Sequence, residues 1–236
     1  MAEVYLVGAG AGDVELLTLK ALKILQKADV ILYDALVSSE VLEFAKESAL
    51  LINVGKRKAN HSKKQEEINQ LLQQYSKSHS IVVRLKGGTP FVFGRGYEEV
   101  RALKEVGISP TIISGVSSTT SVPESFMIPL IDRMYNDSYR TITGHDIKLF
   151  SQIVTSYHPR ESLVVMMGVY NLQKIVEHLL SVGYPLSMRL AILSKGTTPQ
   201  AQKILYTFRE ISQKEEDFFT QIQSLTPAII FIGNGI

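Results

Sequence analysis

The chain has 236 residues, 45% of them hydrophobic, and sets 25 basic against 23 acidic side chains for a net charge of +2. That is enough for a substantial core in one large domain or two ordinary ones; it excludes disorder and lacks the strongly basic face that a nucleic-acid partner requires. Cysteine is absent and His61, His79, His145, His158 and His178 show no ligand spacing, so disulfides, thiolate catalysis and a metal site are not expected.

Met1-Ala2-Glu3 runs directly into a strand pattern with no signal-peptide features, and no apolar stretch approaches the roughly 20 residues that cross a bilayer. A soluble, cytoplasmic protein with no membrane partner is expected. Strands are expected at Val4–Val7, Val30–Tyr33, Leu50–Val54, Ile81–Leu85 and Thr111–Ile113, with helices at Leu16–Gln26, Ser39–Lys46, Gln65–Tyr75 and Glu98–Val106. Ser62 followed by Gln65 spells a capping box for the third helix. Alternation of this kind implies a parallel sheet with helices on both faces.

After Ser114-Gly115 the rhythm changes, through the small residues of Ser117–Ser121 and two prolines, Pro123 and Pro129. A second series follows, with strands at Thr141–Thr143, Leu163–Met167, Leu190–Leu193, Ile204–Phe208 and Ala228–Ile232 and helices at Lys148–Thr155, Leu172–Ser181 and Glu210–Ile222. Its short connections suit hairpins, so this sheet should be mixed. The expected fold is α/β in two domains, 1–114 and 115–236, with the active site in a cleft between them.

Three segments carry chemistry. The run from Arg84 to Gly96 packs glycines, a proline and cations between a strand and a helix, which places a binding loop at a strand's carboxyl end. Gly8-Ala9-Gly10-Ala11-Gly12-Asp13 joins the first strand to the first helix, and Asp34 ends the second strand; a dinucleotide is one reading, but the spacing is G-x-G-x-G and falls short of the full fingerprint. Gly55-Lys56-Arg57-Lys58, with His61, Lys63 and Lys64, is the densest positive cluster and reads either as a solvated loop or as an anion site. Arg84 is equally suited to pairing with a carboxylate across the sheet.

The run Lys86-Gly87-Gly88-Thr89-Pro90-Phe91-Val92-Phe93-Gly94-Arg95-Gly96 resembles the Lys-Gly-Gly-Asp-Pro-Phe-Val-Phe-Gly-Arg-Gly signature of the uroporphyrinogen III C-methyltransferases, in the tetrapyrrole methylase family. The opening glycine turn, Tyr33-Asp34, the Gly55-Lys56-Arg57 segment, Ser114-Gly115-Val116-Ser117-Ser118, Met167-Gly168, Gly196-Thr197 and Pro227-Ala228 extend the likeness along the chain. The resemblance implies Asp34 as proton acceptor and Lys56 as proton donor. It implies S-adenosylmethionine, leaving as S-adenosylhomocysteine, held by Gly10, Ala11, Gly87, Gly88, Thr89, Val92, Ser117, Ser118, Met167, Gly196 and Ala228. For a substrate rich in carboxylates, Arg57, Lys58, Lys86 and Arg95 are the candidate cations. A homodimer is likewise implied, as is a single-activity enzyme without the dehydrogenase and ferrochelatase module of fused siroheme synthases.

The expected activity is methylation of uroporphyrinogen III, through precorrin-1, to precorrin-2, for siroheme or cobalamin. Four departures bear on it: Thr89 for aspartate, Ala11 for proline, Ala35 for arginine, and Ile131-Asp132 for Thr-His. Thr89 removes a negative charge that would face a cationic donor. The alternatives are a methylase for a later corrin precursor, a weakened tetrapyrrole- or S-adenosylmethionine-binding protein and, more distantly, an NAD-dependent oxidoreductase.

Overall fold

The computed structural model describes residues 2–55 and 65–236. The basic segment with Lys56, Arg57, Lys58, His61, Lys63 and Lys64, and the capping Ser62, lie outside the described residues. The chain divides into two compact units, Met1–Ser118 and Thr119–Ile236; the sequence pattern suggests a boundary slightly earlier, after residue 114.

The first unit alternates β1 (Glu3–Gly8), α1 (Leu19–Leu25), β2 (Val30–Tyr33), α2 (Ser39–Leu42), β3 (Leu50–Asn53), α3 (Gln65–Tyr75), β4 (Ile81–Lys86), α4 (Gly96–Glu105) and β5 (Thr111–Ile113). Its sheet has the order β3-β2-β4-β1-β5 with every pair parallel. Side chains alternate between the two faces. Val7, Ile31, Val83 and Leu85 pack against Ala21 and Leu25 of α1 and Val41 of α2, whereas Val4, Leu6, Val30, Leu32 and Val82 pack against Ile68 and Leu72 of α3 and Val100 and Leu103 of α4. By the same parity Asp34 continues the Val30-Leu32 row, and Arg84 and Lys86 continue from Val82, so all three project toward the α3 and α4 face.

Element ends differ from the sequence pattern for local reasons. The first helix is delayed because Leu17 and Thr18 stay extended after a 3-10 turn at Val14–Leu16, and Thr18 then caps α1 by accepting from Ala21 N at 3.2 Å. The fourth strand runs one residue further, because its backbone still pairs with Gly8 of β1 at Lys86, whose charge finds a partner inside the protein.

Next come α5 (Ser118–Ser125), whose first residue closes the first unit, and then β6 (Ser138–Thr143), α6 (Ile147–Ile153), β7 (Glu161–Met166), α7 (Leu172–Ser181), β8 (Arg189–Ser194), β9 (Gln202–Thr207), α8 (Phe208–Ser212), α9 (Glu216–Gln221) and β10 (Ala228–Ile232). The second sheet, β6-β7-β10-β8-β9, is mixed: β6 is parallel to β7 and the other pairs are antiparallel. Its core gathers Phe150, Leu163, Val165, Ile175, Leu179, Ile192, Phe208 and Ile230. The small-residue segment, given no element in the sequence pattern, is helical as α5. One expectation is corrected: the helix expected at Glu210–Ile222 is two short ones separated at Gln213–Glu215.

Candidate active site

Because the first sheet is parallel throughout, the loops after β1, β2, β4 and β5 leave from one edge. Glycines let three of them touch through backbone. A Cβ on Gly8 would lie 2.4 Å from the Gly88 carbonyl oxygen and 2.5 Å from the Gly115 nitrogen, and one on Gly115 would lie 2.2 Å from the same carbonyl. Beyond Gly8 and Lys86, where parallel pairing stops, an antiparallel bridge joins Gly10 to Gly88 through hydrogen bonds of 2.7 and 3.2 Å. Gly10 and Gly88 have φ of 83° and 66°, which other residues rarely adopt. Space opens beside this bridge: a Cβ on Gly88 would meet nothing nearer than Ser118 N at 3.9 Å, and one on Gly87 only Leu36 Cβ at 3.4 Å.

Below this edge lies a buried charge cluster. Register pairs Leu32 with Arg84 and Tyr33 with Leu85, so Asp34 emerges beside the end of β4 and its N–H donates to the Leu85 carbonyl at 3.2 Å. Arg84 is 2% exposed. Its guanidinium donates to Asp34 Oδ1, to Glu99 Oε1 at 2.9 Å, and to the Leu32 and Leu85 carbonyls at 3.3 and 3.0 Å. Burial opposes the Arg84 charge, but Glu99 and Asp34 outweigh it and hold its pKa above the ordinary arginine value. Lys86, also 2% exposed, donates to Glu99 Oε1 at 3.0 Å and stands 3.9 Å from Asp34 Oδ2. Burial, reinforced by the Arg84 cation, pulls its pKa down.

Glu99 is fully buried and is not among the residues singled out from the sequence. A signal is present there: Gly96, Glu99, Val100 and Leu103 form the buried stripe of α4, so Glu99 sits where an apolar residue belongs. Its neighbour Glu98 faces out and accepts both prongs of Arg95, at 2.9 and 2.7 Å. That bidentate pair raises the Arg95 pKa and lowers that of Glu98.

Residues 3–212 match the family described as Tetrapyrrole (Corrin/Porphyrin) Methylases. The chain belongs to the tetrapyrrole methylases. It is 42% identical over 98% of its length, and 95% of the other's, to a uroporphyrinogen-III C-methyltransferase of Methanocaldococcus jannaschii. It is 41% identical to a siroheme synthase of Acinetobacter baylyi, of which it spans 50%. The solved structure of a Thermus thermophilus uroporphyrin-III C-methyl transferase complexed with S-adenyl homocysteine matches at a TM-score of 0.79 and 33% identity, covering 99% of this chain and 98% of that one.

In this tetrapyrrole methylase the site residues expected from the sequence fall in both units. Gly10, Ala11, Gly87, Gly88, Thr89 and Val92 line the first unit's edge, with Ser117 and Ser118 entering α5; Val92 is half-exposed. Arg95 is half-exposed at the start of α4, with φ 55°. Lys86, expected among the substrate cations, is inside the protein and paired with Glu99. In the second unit, Met167 follows β7 at φ 55° and is 46% exposed. Gly196 follows β8 where a Cβ would overlap Val122 of α5 at 2.5 Å, and Ala228 opens β10 opposite Ser194. Lys56, Arg57 and Lys58 lie outside the described residues. Among the described residues no group of three or more histidine or carboxylate side chains is arranged to hold a metal ion, and no helix is long and apolar enough to cross a membrane.

Proposed function

We propose that the chain transfers methyl groups from S-adenosylmethionine to carbon atoms of uroporphyrinogen III, giving precorrin-1 and then precorrin-2, the precursor of siroheme and cobalamin. The observation that carries this reading is the 42% identity, across 98% of the chain and 95% of its relative, to a uroporphyrinogen-III C-methyltransferase. The relative solved with S-adenyl homocysteine supports the choice of donor.

The first unit suits that donor. Gly88 leaves open space beside the Ser118 N–H and Gly87 beside Leu36, where a side chain would intrude on a ligand. Gly10, Ala11, Gly87, Gly88, Thr89, Val92, Ser117 and Ser118, with Met167, Gly196 and Ala228 of the second unit, are the proposed contacts. When bound, the donor supplies an electrophilic methyl group on a sulfonium. Thr89 offers it a neutral hydroxyl where the family signature has a carboxylate, the feature that most favours a later corrin precursor, or binding without turnover, as a second reading.

The chain's own residues supply orientation and proton handling. Methylation makes the attacked carbon quaternary and leaves positive charge on the macrocycle, and Asp34 accepts the proton that the macrocycle then loses to discharge it. Its Oδ1 is held by Arg84, and the side chain keeps 29% exposure at the edge. Lys56 donates a proton or holds a substrate carboxylate, with Arg57, Lys58 and Arg95 as further carboxylate partners. Asp34→Asn should lower kcat by about a hundredfold or more while leaving S-adenosylhomocysteine affinity unchanged by calorimetry; a fully active variant would remove Asp34 from the mechanism.

We further infer a cytoplasmic homodimer. The segment 126–135 exposes Met127 at 90% and Met134 at 74%, with Ile131 and Tyr135 beside them in sequence, an apolar surface suited to a second copy. Sedimentation velocity should give a single species of twice the chain mass, and a monomer contradicts the assembly.

A further inference from the structure

We infer that Glu99 is a positioning residue for Asp34: it draws the Lys86 ammonium away, so that among the described residues Arg84 is the one cation hydrogen-bonded to the Asp34 carboxylate. The inference deepens the function proposed above and rests on Asp34 being its proton acceptor. The cluster sets two cations, Arg84 and Lys86, against two anions, Asp34 and Glu99. Lys86 chooses between the anions. Its nitrogen is 3.0 Å from Glu99 Oε1, a hydrogen bond, and 3.9 Å from Asp34 Oδ2, beyond hydrogen-bonding range.

Glu99 is built for this task. It is fully buried, and its Oε1 takes donors from Arg84, Lys86 and, at 3.3 Å, Gln65. Its Oε2 has no hydrogen-bond partner among the described residues. All three donors therefore meet the one oxygen that faces both cations. Asp34, by contrast, commits Oδ1 to Arg84 and accepts no hydrogen bond at Oδ2 from the described residues. Without the Glu99 charge, one anion would serve two cations, and the flexible Lys86 stem needs only a small movement to reach Oδ2. A carboxylate gripped on both oxygens by cations is a poorer proton acceptor. The same geometry turns Lys86 from a substrate contact into the counter-charge of Glu99.

The test uses the full chain carrying Glu99→Gln alone and with Lys86→Met. Glu99→Gln should lower kcat about tenfold or more with both KM values within about twofold of wild type. Adding Lys86→Met removes the surplus cation and should restore kcat to within about threefold of wild type, whereas a purely structural role for Glu99 predicts that the two losses add. A raised tetrapyrrole KM in the double variant would return Lys86 to substrate binding and overturn the inference. Should Glu99→Gln fail to fold, the double variant decides alone: near-wild-type kcat supports the inference and a lost kcat overturns it. Where Glu99→Gln folds, its crystal structure beside that of the wild type gives an answer that needs no turnover: the Lys86 nitrogen should move to about 3 Å from Asp34, and its staying with residue 99 overturns the inference. Full activity of Asp34→Asn, or absence of methylation by the wild type, would instead count against the proposed function.

Discussion

Asp29 precedes β2 and ties three segments of the first unit to one side chain. It accepts from Lys46 Nζ at 2.5 Å and from the Ile81 and Ser80 N–H groups at 2.8 and 3.0 Å, at the end of the sheet opposite Asp34. The Lys46 hydrogen bond, aided by the backbone donors, lowers its pKa in the folded state. A depressed carboxylate contributes stability that is present above its unfolded value, about 3.9, and is lost as pH falls through the folded one. Asp29→Asn should therefore lower Tm at pH 7 in calorimetric scans, with the gap closing below about pH 4; a gap of constant size from neutral to acid pH would contradict the assignment. Asp34 and Lys86 are legible in the sequence as individual polar residues at strand ends. Their partnership through Arg84 and Glu99 is not, because it depends on β2 lying beside β4, an order that residue patterns do not encode.

Among the elements, the loops held by Gly8, Gly88 and Gly115 decide whether the edge of the first sheet keeps its shape. Gly115→Ala places a methyl group 2.2 Å from the Gly88 carbonyl, and no flexible side chain is there to yield. The substitution should cost about 1–3 kcal/mol of stability by denaturant titration and weaken S-adenosylhomocysteine binding; unchanged affinity would separate these loops from the cofactor. Periodicity locates most strands and helices, and Gln65–Tyr75 and Leu172–Ser181 agree at both ends. It misses α5 because Pro123 and a run of serines and threonines read as a break. The helix buries Thr119, Ser121, Val122 and Pro123, and it stops where Met127 at φ 57° lets the Ile128 N–H reach the Pro123 carbonyl at 3.0 Å. It merges α8 and α9 because no glycine or proline marks the turn at Gln213–Glu215. Lys214 there lies over the rings of Tyr206 and Phe218, at 5.5 and 5.1 Å, a contact with no periodic signature.

Across the whole molecule, a parallel sheet and a mixed sheet each follow from their own connections, since long helical crossovers allow only the first and the β8–β9 hairpin requires the second. The glycine-rich signature marks the family in the amino-acid sequence, because its chemistry is local and its residues are consecutive. Roles that depend on distant segments meeting, such as that of Glu99, emerge only in the folded chain. The central claim is the reaction itself. It is tested most directly by incubating the purified chain anaerobically with uroporphyrinogen III and excess S-adenosylmethionine and weighing the tetrapyrrole by mass spectrometry. A gain of two methyl groups is the predicted result, and would show that Thr89 sustains catalysis; an unmethylated tetrapyrrole, recovered from protein that still binds S-adenosylhomocysteine, would contradict the account.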